Sequence, residues 1–503
     1  MASLQSVTKW ESEHEVIVCG AGAAGCSASI ALYDLDTKIS QCILEKAPES
    51  ESGGNARVAG QSLLIVSSPD AMAQYQKNMS KSNPVPDDLL VWWANEMAQL
   101  ETWIMQIAKD ADQEYIRNPG FTSREVVREF PELGADQAVR YSSTILPFPS
   151  GVYHALKKNV SKRNIPITYN ARVVDLIQDP DSLEVYGVVV QGMAGKQYHK
   201  ATRGVILAMG GYEANLQMQR DYYGLDGVYP LGTPHNTGDG IVLLQKAGAQ
   251  LWHMRNRGQS GGLWPGIKLA HKPTAYLRNF FLPTFSWFDV DALGNRFYPE
   301  TEDYSRTHYK QKKHGAYIDT PLADATPIWM LLDASVLQAG KLVIEIMGWS
   351  GVVDTDYLWS DDNQKEIANG TIIAAQSIQE LASNIRVPFH NLQNTFTQYQ
   401  ESCRNKNDPT FARNPETLFA LQGPPYYAVS IVPSIVCTGG GGKRDTKCQV
   451  LDHNNKPVPR LYEAGELGSM ISDLYQNGSY LTEAMITGKQ SAASVAVQKP
   501  HPY

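Results

Sequence analysis

The residues best suited to chemistry are three glycines close to the N-terminus and one acidic residue that follows them. Gly20, Gly22 and Gly25 stand in a G-x-G-x-x-G frame, and Glu45 follows at the distance typical of this fingerprint. In such a frame the first glycine permits a tight turn, the second lets the backbone approach a pyrophosphate, and the third lets a helix pack on a strand. The acidic side chain can accept hydrogen bonds from a ribose. The spacing therefore predicts a dinucleotide site, whereas the alternative is a glycine-rich turn in another kind of α/β sheet.

The segments around the glycines predict the elements that such a site needs. An apolar run at 16–19 predicts a buried parallel strand, and small residues at 26–35 predict a helix. A second apolar run at 41–44 leads directly to the acidic residue. The N-terminus of this helix would offer free N–H groups and the positive end of its dipole to the phosphates, and Ala23 and Ala24, just before it, are candidate cofactor residues.

Composition and charge argue against several other classes of function. The chain has 503 residues, of which 43% are hydrophobic and 19% charged, as in ordinary globular proteins. A net charge of −8 gives no basic surface for a nucleic-acid partner. We expect no membrane span, because no apolar run reaches the ~18 residues that one requires. The six cysteines lack C-x-x-C spacing, which predicts no metal site and indicates reduced thiols in a cytoplasmic protein.

A second glycine motif makes the prediction more specific. Glu45 is followed by Lys46, and a polar loop then leads to Gly53, Gly54 and Asn55. These two motifs, in this order, resemble the FAD-binding fold of the fumarate reductase/succinate dehydrogenase flavoprotein superfamily, which includes the 3-ketosteroid dehydrogenases. The resemblance implies FAD as the cofactor, with the backbone of the glycine pair closing over a phosphate. Taken alone, the glycine pair fits a solvated loop equally well.

The resemblance also implies the domain organisation. We expect an α/β protein in which a Rossmann-like FAD-binding domain contains an inserted α+β capping domain for the substrate. The FAD-binding domain would comprise residues 1–265 and 424–503, and the capping domain would comprise residues 266–423. Within the capping domain, helical spacing predicts helices near 363–383 and 388–403.

Several later segments resemble the remaining FAD contacts of the superfamily. They are a strand that would meet the adenine, a strand ending in a glycine pair, a helix with an acid in its first turn, an A-G-E element whose glutamate would meet the ribityl chain, and a final helix. The candidate cofactor residues in these segments are Val173, Ala208, Gly210, Gly211, Asp239, Gly465, Glu466, Ser479 and Leu481. Covalent attachment in the superfamily uses a histidine after the second strand. Residues 55–59 contain none, so we expect non-covalent FAD.

An arginine and a tyrosine are candidates for the proton chemistry that the resemblance implies. Flavin enzymes of this type pass a hydride between the flavin and one carbon of a C–C bond, while a protein group handles the proton on the neighbouring carbon. In fumarate reductases an arginine shortly after a G-x-R-F sequence supplies that proton. Residues 294–297 match this sequence, and Arg306 follows as the candidate proton shuttle, with Tyr304 in the same loop. The alternative for Arg306 is a solvated surface side chain.

Two positions argue against a dicarboxylate substrate. Fumarate reductases hold substrate carboxylates with a histidine and an arginine, and matching on the neighbouring glycines places Cys437 and Tyr475 there. Without these cations a buried carboxylate is poorly stabilised. A tyrosine here resembles the ketosteroid dehydrogenases, in which tyrosines polarise a ketone and remove a proton, so Tyr475 and Tyr480 are candidate catalytic residues. The alternative is a tyrosine that only packs and has one satisfied hydroxyl.

Three functions are compatible with the sequence. The first is an FAD-dependent oxidoreductase that acts on a C–C bond beside a carbonyl, by dehydrogenation or ene-reduction, in a rather apolar, steroid-like, polycyclic or aromatic small molecule. The second is a carboxylate reductase or dehydrogenase that uses Arg306 and an anchor from Arg255, Arg257 or Arg278. The third is a flavin-binding protein with little turnover. The sequence has no haem or iron–sulfur motif, so we expect a separate electron donor or acceptor.

Overall fold

The chain divides into two compact units, each made of segments that are discontinuous in sequence. The computed structural model describes residues 2–117, 128–192, 195–256, 264–282, 284–301, 310–313, 316–319 and 325–501. The first unit comprises Met1–Gly224, Gly232–Gly261 and Val436–Tyr503. The second comprises Leu225–Leu231 and Gly262–Ile435.

Strands and helices alternate through much of the chain. The strands are β1 (Trp10–Cys19), β2 (Gln41–Leu44), β3 (Leu63–Val66), β4 (Tyr115–Arg117), β5 (Val139–Ile145), β6 (Ile167–Thr168), β7 (Arg172–Gln178), β8 (Val185–Gly192), β9 (Gly195–Leu207), β10 (Tyr229–Pro230), β11 (Leu251–Trp252), β12 (Trp264–Ile267), β13 (Tyr276–Arg278), β14 (Trp287–Val290), β15 (Lys310–Lys313), β16 (Ala316–Asp319), β17 (Ile328–Asp333), β18 (Val343–Ile344), β19 (Ile372–Ala375), β20 (Tyr426–Ile435), β21 (Gly441–Gly442), β22 (Gln449–Leu451) and β23 (Pro457–Glu463).

The helices are α1 (Ala23–Leu35), α2 (Gly54–Val58), α3 (Pro69–Met79), α4 (Asp87–Asp110), α5 (Ala135–Ala138), α6 (Gly151–Lys162), α7 (Leu216–Tyr223), α8 (Asp239–Lys246), α9 (Ala334–Ala339), α10 (Trp349–Val352), α11 (Gln364–Ala368), α12 (Ile378–Ile385), α13 (Phe389–Asn405) and α14 (Ser479–Ala496). Among the described residues, none of these helices has both the length and the apolar character of a membrane-spanning segment.

The first unit is built on a largely parallel sheet. Its strand order is β22-β23-β9-β1-β2-β6, and β8 joins β7 to the first half of β9. β1 lies parallel to β2 and β9, with Ile17 opposite both Cys42 and Val205. β23 continues the parallel order beside the end of β9. The carboxyl ends of β2, β1, β9 and β23 therefore lie at one edge of the sheet, which is where ligands bind in such folds.

Close packing explains the apolar strands and the small residues of α1. Val16, Ile17 and Val18 in β1 have no exposed area, as expected for a parallel strand covered on both faces. α1 packs against α14, and a Cβ on Gly488 of α14 would overlap the carbonyl oxygen of Ala24. The two helices therefore approach too closely for large side chains at their contact.

The second unit is built on a mainly antiparallel sheet of order β14-β17-β20-β12-β13-β18. β20 is central to this sheet and also pairs with β10 and β19. The chain consequently returns to the first unit only after Ile435, and not at 423/424 as the resemblance implied. The first passage between units also differs, because residues 225–231 contribute β10 to the second sheet.

The helix expected over 363–383 is interrupted, and that prediction is wrong. α11 ends at Ala368, β19 follows, and α12 begins at Ile378. Gly370 has a φ of +79°, which stops the helix, and the β-branched residues Ile372 and Ile373 pair with β20. α13 lies where the next helix was expected.

Candidate functional site

The candidate cofactor residues lie at the carboxyl ends of four neighbouring parallel strands in the first unit. Gly20 directly follows β1, Glu45 follows β2, and Ala208 follows β9. Gly465 lies just beyond β23. The sheet thus brings together segments that lie far apart in the sequence and that only the resemblance relates to one site.

The first glycine motif forms the turn between β1 and α1. Gly20 has a φ of +109°, and a Cβ there would overlap the carbonyl oxygen of Ala208. A Cβ on Gly25 would overlap the carbonyl oxygen of Gly20. The protein's own backbone therefore requires glycine at both positions. Ala23 and Ala24 form the buried first turn of α1.

Gly22 is different, because the protein's own packing does not require a glycine there. Its φ of −77° and ψ of −169° suit any residue. In the described chain, a Cβ at this position meets only the Gly53 carbonyl oxygen, at 3.7 Å. Gly22 is also the N-cap of α1 and offers no side chain to the first N–H groups of the helix. Open space beside a helix N-terminus fits a phosphate, so these residues fit the pyrophosphate of FAD.

Glu45 lies beside this turn and is held by two backbone groups. Its Oε2 accepts the Ala21 N–H and its Oε1 accepts the Ala47 N–H, each at 2.8 Å. The residue is only 8% exposed. Each carboxylate oxygen has a second lone pair, so the fixed side chain can still accept a hydrogen bond from a ribose hydroxyl.

Lys46 and Asp239, both predicted as cofactor residues, contact each other. Lys46 Nζ lies 3.0 Å from Asp239 Oδ2 and donates to Thr237 Oγ1 at 2.7 Å. Burial opposes ionisation of Asp239, but hydrogen bonds from Arg172 and Lys46 outweigh it and lower the pKa of this carboxyl. Val173 is buried in β7, next along the chain from Arg172.

The second glycine motif lies opposite the first. Gly53 has a φ of +117°, and a Cβ there would lie 2.6 Å from the Tyr153 ring of α6. Tyr153 Oη is 3.1 Å from Ser52 Oγ, which anchors the loop on that helix. Gly54 also has a positive φ, and no described atom lies within 4 Å of a Cβ there. The loop therefore leaves open space near Gly22.

Asn55 joins this loop to three other segments of the site. Its Nδ2 donates to Glu213 Oε1 at 2.7 Å and lies 3.2 Å from Glu466 Oε2. Its Oδ1 accepts the Thr233 N–H at 3.0 Å. Glu466 Oε1 in turn accepts the Thr438 N–H at 2.8 Å. Glu213 is not among the residues predicted from the sequence, although its place after the glycine pair at the carboxyl end of β9 is a signal that points to it.

The glycine pair after β9 makes room for these carboxyl groups. Gly210 has a φ of +67°, and a Cβ there would lie 2.7 Å from the Asn236 amide. A Cβ on Gly211 would lie 2.6 Å from Glu213 Oε2 and closer still to Glu466 Oε1. Burial raises the pKa of both carboxyl groups, and the charge of Glu213 raises that of Glu466 further.

The A-G-E element and α14 close the other side of the glycine turn. Gly465 has a φ of +81°, and a Cβ there would lie 2.9 Å from the Cβ of Ala24. Thr487 Oγ1 accepts the Gly465 N–H at 2.9 Å and ties this turn to α14. Ser479 and Leu481, in the first turn of α14, are both buried.

Two tyrosines stack at the N-terminus of α14. The ring centroids of Tyr475 and Tyr480 are 5.0 Å apart. Tyr475 Oη accepts the Gly478 N–H at 3.0 Å, and the residue is only 5% exposed. Burial raises the pKa of both hydroxyls well above the ordinary value, and the nearby Cys437 thiol adds to this effect. Both tyrosines therefore keep their protons at neutral pH.

The remaining candidates for catalysis and for anchoring a carboxylate lie outside the group of residues described above. Arg278, in the second unit, forms a buried ion pair of 2.6 Å with Asp289. Arg255 is exposed. The candidates that lie outside the described residues are Tyr304, Arg306 and Arg257.

Known proteins share both the sequence pattern and the fold. A family described as "FAD binding domain" matches residues 15–480. The NADH:acrylate oxidoreductase of Vibrio harveyi is 28% identical over an alignment of 359 positions that covers 69% of this chain and 32% of that protein. The vinyl phenol reductase of Lactiplantibacillus plantarum is 24% identical over an alignment of 511 positions that covers 96% of each chain. The chain thus spans about a third of the first relative and nearly all of the second.

A solved structure extends the similarity to the whole fold. It is 3-ketosteroid Δ1-dehydrogenase from Sterolibacterium denitrificans in complex with 1,4-androstadiene-3,17-dione. The TM-score is 0.76 at 19% identity, with 97% of this chain and 100% of that chain covered. The α/β fold expected from the resemblance is thus confirmed, and the family match runs from the first glycine motif to the start of α14. The chain belongs to the FAD binding domain family and is an FAD-dependent oxidoreductase of the fumarate reductase/succinate dehydrogenase flavoprotein superfamily.

Proposed function

We propose that this protein dehydrogenates or reduces a C–C bond next to a carbonyl in a rather apolar, steroid-like or polycyclic ketone. Bound FAD supplies the hydride chemistry. The relatives support action on C=C bonds in general, since their names include an acrylate oxidoreductase and a vinyl phenol reductase. The preference for a ketone over a carboxylate is inferred from the residues of this chain.

The observation that carries the proposal is the neutral character of two positions that hold carboxylates in fumarate reductases. Matching on the neighbouring glycines assigns these positions to Cys437 and Tyr475, which are 6% and 5% exposed. A carboxylate brought against a thiol and a protonated phenol would lose its hydration without gaining a cation. A ketone oxygen loses much less on the same transfer, because it is uncharged and needs only hydrogen-bond donors.

We assign Tyr475 the role of donating a hydrogen bond to the substrate carbonyl. Its raised pKa keeps the hydroxyl protonated, and the Gly478 N–H fixes its oxygen at the start of α14. A donor held in this way stabilises negative charge that develops on the carbonyl oxygen during hydride transfer. In the direction of reduction, the protonated Tyr480 hydroxyl is assigned the donation of a proton to the neighbouring carbon and is reprotonated from solvent, with Arg306 and Tyr304 as alternative donors.

A second candidate substrate is a vinyl group on a phenol ring. The full-length match to the vinyl phenol reductase favours this candidate, because it covers 96% of both chains. A phenol oxygen resembles a ketone oxygen in being a neutral acceptor, so the same Tyr475 hydroxyl would suit it.

Turnover with a small panel of acceptors tests the proposal. The reduced holoprotein is supplied with 1,4-androstadiene-3,17-dione, 4-vinylphenol, acrylate or fumarate, and the saturated products are identified. We expect product from the steroid ketone or from the vinyl phenol. Product from acrylate or fumarate alone would reject the proposal in favour of the carboxylate reductase. A protein that retains FAD and reduces none of a wide range of acceptors would instead be a flavin-binding protein.

A further inference from the structure

Two carboxyl groups of the cofactor site lie against each other. Glu213 is fully buried, whereas Glu466 is partly exposed. Asn55 Nδ2 lies 2.7 Å from Glu213 Oε1 and 3.2 Å from Glu466 Oε2, so the two carboxyl groups are neighbours, and a hydrogen bond between them requires a proton on one of them. Both also approach the space above Gly211, which has no side chain to separate them. The pair therefore consists of an inner residue and an outer residue that can face a ligand.

The hydrogen-bond donors around the pair leave one carboxyl oxygen unsatisfied. Glu213 Oε1 accepts from the amides of Asn55 and Asn236, each at 2.7 Å. The Thr438 N–H donates a hydrogen bond to Glu466 Oε1. Within the described chain, no N–H or hydroxyl donor reaches Glu213 Oε2, which is buried. A protonated Glu466 carboxyl group can donate a hydrogen bond to this oxygen. The other donors to the pair, which are the amides of Asn55 and Asn236 and the Thr438 N–H, are neutral and do not compensate a second negative charge.

We propose that Glu213 is a positioning residue of the flavin site that shares one proton with Glu466, and that FAD binds to the proton-bearing state of this pair. The proton comes from solvent. Two ionised carboxyl groups would present uncompensated charge to FAD, whose pyrophosphate is itself anionic. FAD binding by this pair does not depend on the identity of the substrate. The role of Glu213 and the proposed substrate can therefore be refuted independently of each other.

The affinity for FAD as a function of pH tests the inference. Apoprotein is titrated with FAD, followed by flavin fluorescence, between about pH 6 and about pH 9, where an unperturbed carboxyl group does not titrate. Since one proton is required, we expect the parent's Kd to rise up to about tenfold per pH unit at the alkaline end. A Kd that does not change over this range would overturn the proposal.

The variant Glu213→Gln mimics the shared proton permanently. Its amide oxygen can still accept from Asn55 and Asn236, while its N–H group can donate to Glu466. We therefore expect a Kd that stays within about threefold over the same pH range. A variant that keeps the parent's pH dependence would contradict the proposal. Because the replacement has the same shape, it should fold, and circular dichroism checks this.

Other titratable groups near the pair are controlled separately. Tyr212, Tyr223 and Tyr480 face the carboxyl groups, and burial raises the pKa of each above its ordinary value, so they do not titrate in this range. His235, on the loop beside Asn236, lies 2.7 Å from Glu51. His235→Gln should keep the parent's pH dependence, and a loss of that dependence would assign it to the imidazole and overturn the proposal.

A buried carboxylate elsewhere provides the matched control. Glu366, in the second unit, accepts hydrogen bonds from Tyr357 and Ser360 and has no carboxyl partner in the described residues. Glu366→Gln should therefore leave the pH dependence of FAD binding unchanged. Infrared difference spectra give a second readout, because the protonated-carboxyl absorption of the parent apoprotein should decrease in Glu213→Gln, while that of other buried carboxyl groups such as Glu463 remains. Identical carboxyl bands in the two proteins would overturn the shared proton.

Discussion

Replacing Gly22 with alanine should separate cofactor binding from folding. The backbone at Gly22 suits any residue, and an added methyl group would have ordinary contact with the Gly53 carbonyl oxygen at 3.7 Å. The methyl group would, however, occupy the space beside the N-terminus of α1 that we assign to the pyrophosphate. Gly25→Ala is the matched control, because its Cβ would overlap the Gly20 carbonyl oxygen.

The structure sets the expected magnitudes. At a compatible backbone position, glycine to alanine stabilises a protein by about 0.4–1 kcal/mol, so Gly22→Ala apoprotein should be at least as stable as the parent. Displacing a phosphate from one N–H group loses a charge-assisted hydrogen bond of about 1.5–3 kcal/mol. This loss corresponds to a Kd for FAD about 10- to 150-fold weaker. Valine at the same position should abolish FAD retention, whereas Gly25→Ala should lower stability by at least about 1–3 kcal/mol.

Two measurements on the same apoprotein check these values. Urea unfolding gives the stability, and FAD titration followed by flavin fluorescence gives the Kd. A folded Gly22→Ala protein that binds FAD within about threefold of the parent would show that the pyrophosphate lies elsewhere. A Gly22→Ala protein that is markedly unstable would show that the glycine serves the fold instead.

Three further outcomes are expected. FAD should be released by acid or heat, since residues 55–59 lack a histidine, and flavin that stays with the denatured chain would contradict non-covalent binding. Tyr475→Phe should lower turnover by a factor of ~10²–10³, because it removes one hydrogen-bond donor to the substrate. The free energy of unfolding should change by about 1 kcal/mol or less, and the flavin spectrum should be unaltered. Turnover within about threefold of the parent's would make Tyr475 a packing residue. Burial raises the pKa of Glu463 to about 8 from 4.5, so its contribution to stability is complete below the unfolded value and is lost as pH rises through about 8. The melting temperature should fall over that range, and it should fall less in Glu463→Gln.

The local sequence pattern is sufficient to predict those site residues and helices whose spacing follows from contacts within one short segment. Gly20, Gly25 and Glu45 could be recognised from their spacing, and the contacts of Gly25 with the Gly20 carbonyl oxygen and of Glu45 with the Ala21 N–H lie within one strand–helix–strand segment. The helix at 389–405 could be predicted for the same reason, since its spacing is regular and its contacts are periodic. Gly22 could be assigned to a ligand only by the motif, and the structure adds the physical reason, which is its open surroundings.

Features that depend on distant segments could not be predicted in this way. Glu213 lies near Asn55 and Glu466 only because the ends of β9 and β23 and the loop with Gly53 converge in the fold. The spacing of residues within any one of these segments does not predict this contact. The sequence pattern predicts helix at β19, because these four residues form a strand only by pairing with β20. The same central strand moves the boundary between the units beyond 423, since its hydrogen bonds belong to the second sheet.

The most direct test of the proposed function is the anaerobic single-turnover reoxidation of the reduced holoprotein, followed by the absorbance of its flavin. We predict that 1,4-androstadiene-3,17-dione or 4-vinylphenol reoxidises the flavin at least ~100-fold faster than fumarate, the size of effect that one well-placed donor provides. Reoxidation by fumarate at a rate near the ~10 s⁻¹ typical of enzymes, with both neutral acceptors inactive, would contradict the account.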